Sequence, residues 1–293
     1  MINTVYRLVA PRRFEIAFED INLFGENAIV RPTYLSICNA DMRYYLGTRD
    51  AKVLAEKLPM ALIHEGVGEV FLDPTGTFKT GDKVVMVPNA PVEKDEFIAE
   101  NYLRSSKFCG SSMDGFLQEF VEISPKRLVK LPDDIDMTVA AFTEIVSVSV
   151  HAISRFDKIA HARRNTISVW GDGNLGYITS LFLKYHFPKS KIVVFGTSSD
   201  KLADFTFADE THLVNEVPDG FTTDHAFECV GGNGSPIAIE QIIGLIKPEG
   251  TISILGVSEY PVPINTRMIL EKGLRVFGSS RSGVKDLSLI HIS

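Results

Sequence analysis

Four side chains in the first half of the chain are of types that bind metal: Cys38 in SICNAD, His64 and Glu65 in IHEGVG, and Glu144 in AAFTEIVSVSVHA. Thiolate, imidazole and carboxylate are the donors of protein zinc sites. A catalytic zinc takes three of them and leaves a fourth position for water or substrate. Singly, each has a plainer reading: Cys38 as a small buried hydrophobe, His64 as a satisfied core residue, Glu144 as a cap or a solvated acid. Their significance depends on the second half of the chain.

That half opens with a nucleotide cradle. Ile167, Val169 and Trp170 read as a short buried strand, and Gly171, Gly173 and Gly176 then fill the three positions of G-x-G-x-x-G. The first glycine permits the tight turn, the second brings backbone close to a pyrophosphate, and the third lets the next helix pack on the strand. Asn174 and Leu175 open that helix, whose unpaired N–H groups and positive dipole end favour phosphate. The motif alone is weak. Its setting is specific: a strand before, an amphipathic helix after it (Leu175, Ile178, Leu181, Phe182), and a second strand at Lys191–Phe195. An NAD site has an acid about twenty residues on, bonding the ribose hydroxyls. Here Gly196 stands there, followed by Thr197, Ser198, Ser199 and Lys201, a set that suits the 2′-phosphate of NADP; the plain alternative is a polar turn with Lys201 solvated.

The elements that must position these groups divide the chain. Up to about residue 130, β-branched and aromatic segments (Ala28–Tyr34, Val67–Leu72, Lys83–Val87, Phe116–Ile123) alternate with turn signals such as PTG, KTGD and MDG, as in a barrel-like all-β domain. From Asp133 to Ile159 the period becomes helical through Ala140, Ala141, Ile145, Val148 and Ala152. Beyond Thr166, strands at Ile167–Trp170, Ile192–Phe195, His212–Val214, His225–Cys229, Thr251–Leu255 and Leu274–Phe277 alternate with helices, which predicts a parallel sheet wound on both faces. The expected domains are 1–147 (catalytic), 148–283 (nucleotide-binding) and a truncated stub, 284–293. VKDLSLIHIS has neither a helix pattern nor a polar tail; Leu287–Ser293 read as an incorrectly ended frame, with an exposed apolar face expected where later segments would return.

Bulk properties narrow the partners. The 293 residues are 45% apolar and 23% charged with a net charge of −7, an ordinary globular composition without the basic field that nucleic acid or an anionic membrane requires. No signal sequence or bilayer-length apolar run is present. Three scattered cysteines, Cys38, Cys109 and Cys229, do not make a disulfide framework and suit a reducing cytoplasm.

IC-x-x-D, HEG-x-G, the E-x-x-x-x-x-x-H helix, G-x-G-x-x-G and the closing ILEKGL-x-V-x-GS together resemble the medium-chain zinc-dependent alcohol and polyol dehydrogenases over nearly the whole chain. The resemblance implies a GroES-like catalytic domain beside a Rossmann domain. It also implies one catalytic zinc held by Cys38 and His64 with Glu65 or Glu144, and Asp41 supporting the metal shell. Two departures stand out. Ala40 replaces the Ser or Thr that relays the alcohol proton, leaving Tyr44 or Glu65 to act through water. Cys109 is alone where relatives place a four-cysteine lobe, so no structural zinc is expected. SICNADMRYYLG, KFCGSSMDGF and INTRMILEKGL with GSSRSG resemble most the NADPH-dependent ribulose-5-phosphate reductases that make ribitol 5-phosphate for teichoic acid or capsule. That likeness implies a phosphosugar substrate, a homodimer, and a cytidylyltransferase of the same pathway as partner. A phosphorylated substrate needs a cationic pocket; Arg43, Arg49, Arg104, Lys107 and Arg281 are the candidates. Two rivals are an NAD-linked polyol dehydrogenase and a non-catalytic nucleotide-binding relative.

Overall fold

A computed structural model describes residues 1–289. The backbone forms two units, Met1–Ser147 with the segment from Arg281, and Val148–Ser280.

The first unit begins with a hairpin, β1 (Ile2–Ala10) and β2 (Arg13–Asp20), which precedes the β segments legible in the sequence. Then come β3 (Ala28–Ser36), α1 (Asn39–Leu46), α2 (Ala51–Lys57), β4 (Met60–Ala61), β5 (Glu65–Leu72), β6 (Lys83–Met86), β7 (Asn89–Ala90), β8 (Lys107–Phe108), β9 (Val121–Ile123), β10 (Leu128–Lys130) and α3 (Met137–Ala140). Five strands make an antiparallel sheet in the order β10-β6-β5-β3-β9; β2-β1-β4 and β7-β8 are smaller sheets. The large sheet closes over Val30, Val70, Val84, Met86 and Phe116, all buried. Of the expected strand at Phe116–Ile123 only β9 forms. Phe116 and Leu117 instead donate their N–H groups to Ile63 and Leu62, so this stretch braces the loop before His64. The helical period from residue 133 splits into α3 and α4 (Thr143–Ile159).

In the second unit, β11 (Thr166–Trp170), α5 (Asn174–His186), β12 (Lys191–Gly196), α6 (Ser199–Leu202), β13 (Glu210–Leu213), β14 (Thr223–Glu228), α7 (Ser235–Leu245), β15 (Ile246–Ile254), α8 (Thr266–Lys272) and β16 (Arg275–Gly278) alternate. The six strands are parallel in the order β13-β12-β11-β14-β15-β16, the doubly wound arrangement of dinucleotide-binding sheets. Side chains alternate across a strand. Ile167 and Val169 of β11 therefore join one core with Phe156 and Leu183, while Trp170 joins the opposite one with Phe195, Ile239 and Ile242. The Rossmann sheet and mostly-β barrel expected from the strand pattern are both present.

The end of the chain differs from the expected stub. Val284–Leu289 forms a helix, α9, and Leu287 is fully buried against Val67, Val85, Leu131 and Ala140 of the first unit. Val284 and Leu287, one turn apart, are too short a run for a period to show in the sequence. Residues 290–293, the rest of the segment read as non-native, lie outside the described residues. Among the described residues no helix is long and apolar enough to cross a membrane.

One buried group makes stability pH-dependent. His225 on β14 is fully buried; Thr251 N donates to its Nδ1 at 3.1 Å and its Nε2 faces Arg163 O at 3.1 Å, which fixes the neutral form protonated on Nε2. Burial, and then the charge of His161, push its pKa from 6.5 down to about 4. Between those values the unfolded chain binds the proton and the native chain does not. Stability therefore rises with pH through the window; the contribution is complete above 6.5 and is lost as pH falls toward 4. At about 1.4 kcal/mol per pH unit, denaturant titrations from pH 7 to 4.5 should show a wild-type decline of roughly 2–3 kcal/mol that His225→Gln flattens. Equal slopes in the two proteins would assign the decline to other groups.

Candidate active site

The donor set assembles at the start of α1 and of β5. Cys38 is the residue before the first turn of α1, and Asp41 closes that turn by accepting the Cys38 N–H on Oδ2 at 3.0 Å. The other oxygen of Asp41 accepts Ile63 N at 3.0 Å and lies 3.6 Å from His64 Nδ1. One carboxylate thus sets the positions of both Cys38 and His64, which are far apart in sequence. Ile63 has φ 72°, a rare conformation for a β-branched residue. It is held there from both sides, because Phe116 N donates to its carbonyl at 2.7 Å.

Cys38 Sγ, a His64 nitrogen and a Glu65 oxygen lie within 4.8 Å of one another. His64 turns Nδ1 to Asp41 and Nε2 toward Glu65, 4.0 Å away, the orientation in which a carboxylate fixes the tautomer of a metal-binding imidazole. Glu144, on the first turn of α4, is 4% exposed. It lies outside that tight group but close enough for charge interaction with His64 and Glu65. The acids titrate abnormally because they are buried together: burial raises Glu65 and pushes Glu144 up to about 7. Burial works against a charged His64, yet hydrogen bonding to Asp41 and Cys38 and the charge of Glu144 raise it well above its usual value. Burial also raises the Cys38 thiol, against His64, which lowers it. Three buried acids and a thiol around a single imidazole form a negative pocket that calls for a cation. The mix of sulfur, nitrogen and oxygen donors fits zinc.

Tyr44 lies one turn beyond Asp41 on the same buried face of α1; it is 2% exposed and its hydroxyl has no hydrogen-bond partner. Of the cationic candidates, Arg281 lies over the Phe108 ring at 4.4 Å, and that ring packs on His64 at 5.2 Å. Arg49 covers Tyr44 at 4.8 Å. Arg43 is half-buried, whereas Arg104 and Lys107 are exposed.

The second unit supplies the nucleotide turn. Gly171 has φ 132°, and a Cβ there would meet Cys229 O at 2.9 Å. A Cβ on Gly176 would fall 2.0 Å from Gly171 O, whereas at Gly173, where α5 begins, it would meet nothing. The open position is the one a pyrophosphate approaches, and Asn174 and Leu175 form the first turn behind it. After β12, Ser198 caps α6 by accepting Lys201 N, while Thr197, Ser199 and Lys201 are exposed. Sequence reasoning missed Asp172, the variable residue between the first two glycines. Its Oδ2 accepts Thr197 N at 2.7 Å, Ser198 N at 2.8 Å and Thr197 Oγ1 at 3.2 Å. Partial burial alone would raise its pKa, but these bonds hold it below the usual range. A carboxylate therefore does stand at the end of the second strand, contributed from the glycine turn and turned inward onto the loop. An acid inside G-x-G was the available signal.

Residues 25–133 match the alcohol dehydrogenase GroES-like domain. The chain is 58% identical over 98% of its length to ribulose-5-phosphate reductase 1 of Staphylococcus aureus, covering 84% of that protein, and 56% identical over 98% to the ribulose-5-phosphate reductase of Bacillus spizizenii, again covering 84%. It superimposes with a TM-score of 0.87 and 51% identity on the crystal structure of S. aureus TarJ in complex with NADPH, covering 100% of this chain and 86% of that one. With its GroES-like first unit, its Rossmann second unit and this degree of identity, the chain belongs to the medium-chain alcohol and polyol dehydrogenase family, in the branch of the ribulose-5-phosphate reductases.

Proposed function

We propose that this protein uses NADPH to reduce the ketone of D-ribulose 5-phosphate to D-ribitol 5-phosphate, a precursor of wall teichoic acid or capsule. The observation that carries this reading is the 58% identity to a ribulose-5-phosphate reductase across 98% of the chain, joined to a buried Cys38–His64–Glu65 set able to hold the metal such a reduction uses.

Cys38, His64 and Glu65 would hold one zinc, with Asp41 fixing the first two and Glu144 adding nearby negative charge. Bound there, the metal supplies a Lewis acid for the ketone oxygen. The glycine turn and the start of α5 hold the pyrophosphate, and the loop of Thr197, Ser198, Ser199 and Lys201 takes the 2′-phosphate. Hydride leaves C4 of the dihydronicotinamide with its electron pair and forms the new C–H bond at C2 of the ketose. The carbonyl π pair moves to oxygen, NADP⁺ remains, and the alkoxide takes a proton. Two groups can relay it in place of the missing hydroxyl at Ala40: Tyr44, whose buried hydroxyl has no hydrogen-bond partner, and Glu65 where Glu144 takes its place on the metal, since a ligating carboxylate holds no proton.

One zinc per chain is part of the same reading. Cys109, the one cysteine between Val87 and Phe116, sits in an apolar cluster with its thiol pushed by burial up to about 12, a poor ligand for a structural metal. Three free thiols favour a cytoplasmic location. The outer strand β16, with Val276 37% exposed, offers an edge for pairing in a homodimer, and a cytidylyltransferase that consumes ribitol 5-phosphate is the expected partner. The test is a substrate panel. NADPH oxidation with ribulose 5-phosphate should exceed that with free ketoses by on the order of a hundredfold in kcat/KM. A preference for NADH and an unphosphorylated sugar would replace this reading by that of a polyol dehydrogenase.

A further inference from the structure

Three cations gather beside the acid pocket of the first unit. Lys57, the last residue of α2, donates from Nζ to Ser111 O at 2.7 Å. Ser111 belongs to the turn after β8, its N–H donating to Phe108 O at 3.1 Å. The Phe108 ring on the same turn carries the Arg281 guanidinium on one side, at 4.4 Å, and packs against His64, at 5.2 Å. Arg49 lies over Tyr44, which shares the buried face of α1 with the ligand-orienting Asp41. The charges of Arg49 and Arg281 both reach Lys57, which burial already disfavours as a cation, and Arg281 in turn feels Glu144.

Glu56 offsets part of the charge at Lys57 and Glu144 part of that at Arg281, and a dianion seated between the two cations would be attracted by both. Arg281 is moreover held in the left-handed region, at φ 59°, a conformation that is unfavourable for a non-glycine residue and persists where surrounding contacts over-determine it. Those contacts are present: Ser282 Oγ bonds Ser147 Oγ at 2.6 Å, Asp286 accepts Gly283 N at 2.9 Å, and Glu100 accepts Val284 N at 3.1 Å. The backbone that carries Arg281 is pinned, and its side chain is directed onto Phe108, beside the imidazole of the donor set.

We propose that Lys57, Arg281 and Arg49 form the phosphate end of the substrate pocket and bind the phosphomonoester of an acyclic ketose phosphate whose carbonyl lies at the Cys38–His64–Glu65 set. The proposal rests on the reductase reading above and adds to it the residues that distinguish a phosphorylated substrate from a free sugar. Arg281 supplies a planar fork and Lys57 a point charge, a combination suited to a phosphate dianion.

The test compares kcat/KM for ribulose 5-phosphate and for ribulose, with NADPH, in the wild type and in Lys57→Gln, Arg281→Gln and Arg281→Lys. The ratio within each protein cancels differences in folded fraction. It should fall on the order of 10- to 100-fold in the two Gln variants, chiefly through KM for the phosphate ester, and less in Arg281→Lys. A ratio that stays at the wild-type value in both Gln variants, or that collapses instead in Arg104→Gln or Lys107→Gln, overturns the assignment. Should the wild type reduce neither sugar, the reductase reading fails on its own, and calorimetric titration with inorganic phosphate then decides the site. Binding weakened in both Gln variants supports it; absent or unaltered binding overturns it.

Discussion

Cys38→Ser and His64→Ala are each expected to lower kcat by roughly three orders of magnitude, the equivalent of several kcal/mol of transition-state charge stabilisation, while leaving NADPH binding intact. The basis is local. Both side chains belong to one group of donor atoms within 4.8 Å in the first unit, whereas the glycine turn belongs to the second. Zinc content by atomic absorption should fall with activity, and NADPH fluorescence titration should give a wild-type affinity. Asp41→Asn should be intermediate, losing about 10- to 100-fold in metal affinity, because Asp41 is outside the donor group but holds Cys38 N, Ile63 N and the Nδ1 side of His64. Near-normal turnover in Cys38→Ser with depleted zinc would take the metal out of the reaction. Normal zinc in Asp41→Asn would deny that carboxylate its orienting role.

The second large effect concerns cofactor choice. Introducing the acid found in NAD sites at Gly196 is expected to fail by itself, because a Cβ at this position would fall 2.7 Å from Asp172 Cβ and 2.9 Å from its Oδ2. The new carboxylate would also face one already bonded to Thr197 N and Ser198 N. Gly196→Asp should therefore weaken NADPH use without conferring NADH use. Adding Asp172→Gly removes both the Cβ and the carboxylate, leaves only the flexible end of Leu202, whose Cδ2 would lie 2.9 Å away, to give way, and frees the two N–H groups. The double variant should then shift the NADH-to-NADPH ratio of kcat/KM by on the order of 10² relative to Gly196→Asp alone, the worth of charge-assisted bonds to the ribose hydroxyls together with repulsion of the 2′-phosphate. Additive effects of the two substitutions, or a full switch in Gly196→Asp, would show that residues 172 and 196 act independently.

The chemistry of this protein was largely legible in its residues, and its geometry was not. G-x-G-x-x-G names its own structure, because each glycine answers a local steric demand, as Gly176 against Gly171 O shows. The central parallel strands β11 and β12 were equally plain, being buried on both faces and largely apolar. Short local signals were lost where tertiary contacts decide the outcome. Phe116 has strand-like neighbours but bonds to the loop before His64, and Val284 and Leu287 are too few to show a period although Leu287 is fully buried.

The sequence by itself determined which donors exist, Cys38, His64, Glu65 and Glu144, since donor type is a property of the side chain. Only the tertiary structure decided that Glu65 closes the tight group while Glu144 lies outside it, that Asp41 ties residues 38 and 63 together, and that Asp172 fills the space beside Gly196. It also brought Lys57 and Arg281 to one turn. These are contacts between residues distant in the chain, set by strand register and burial, and no local pattern of residue types records them.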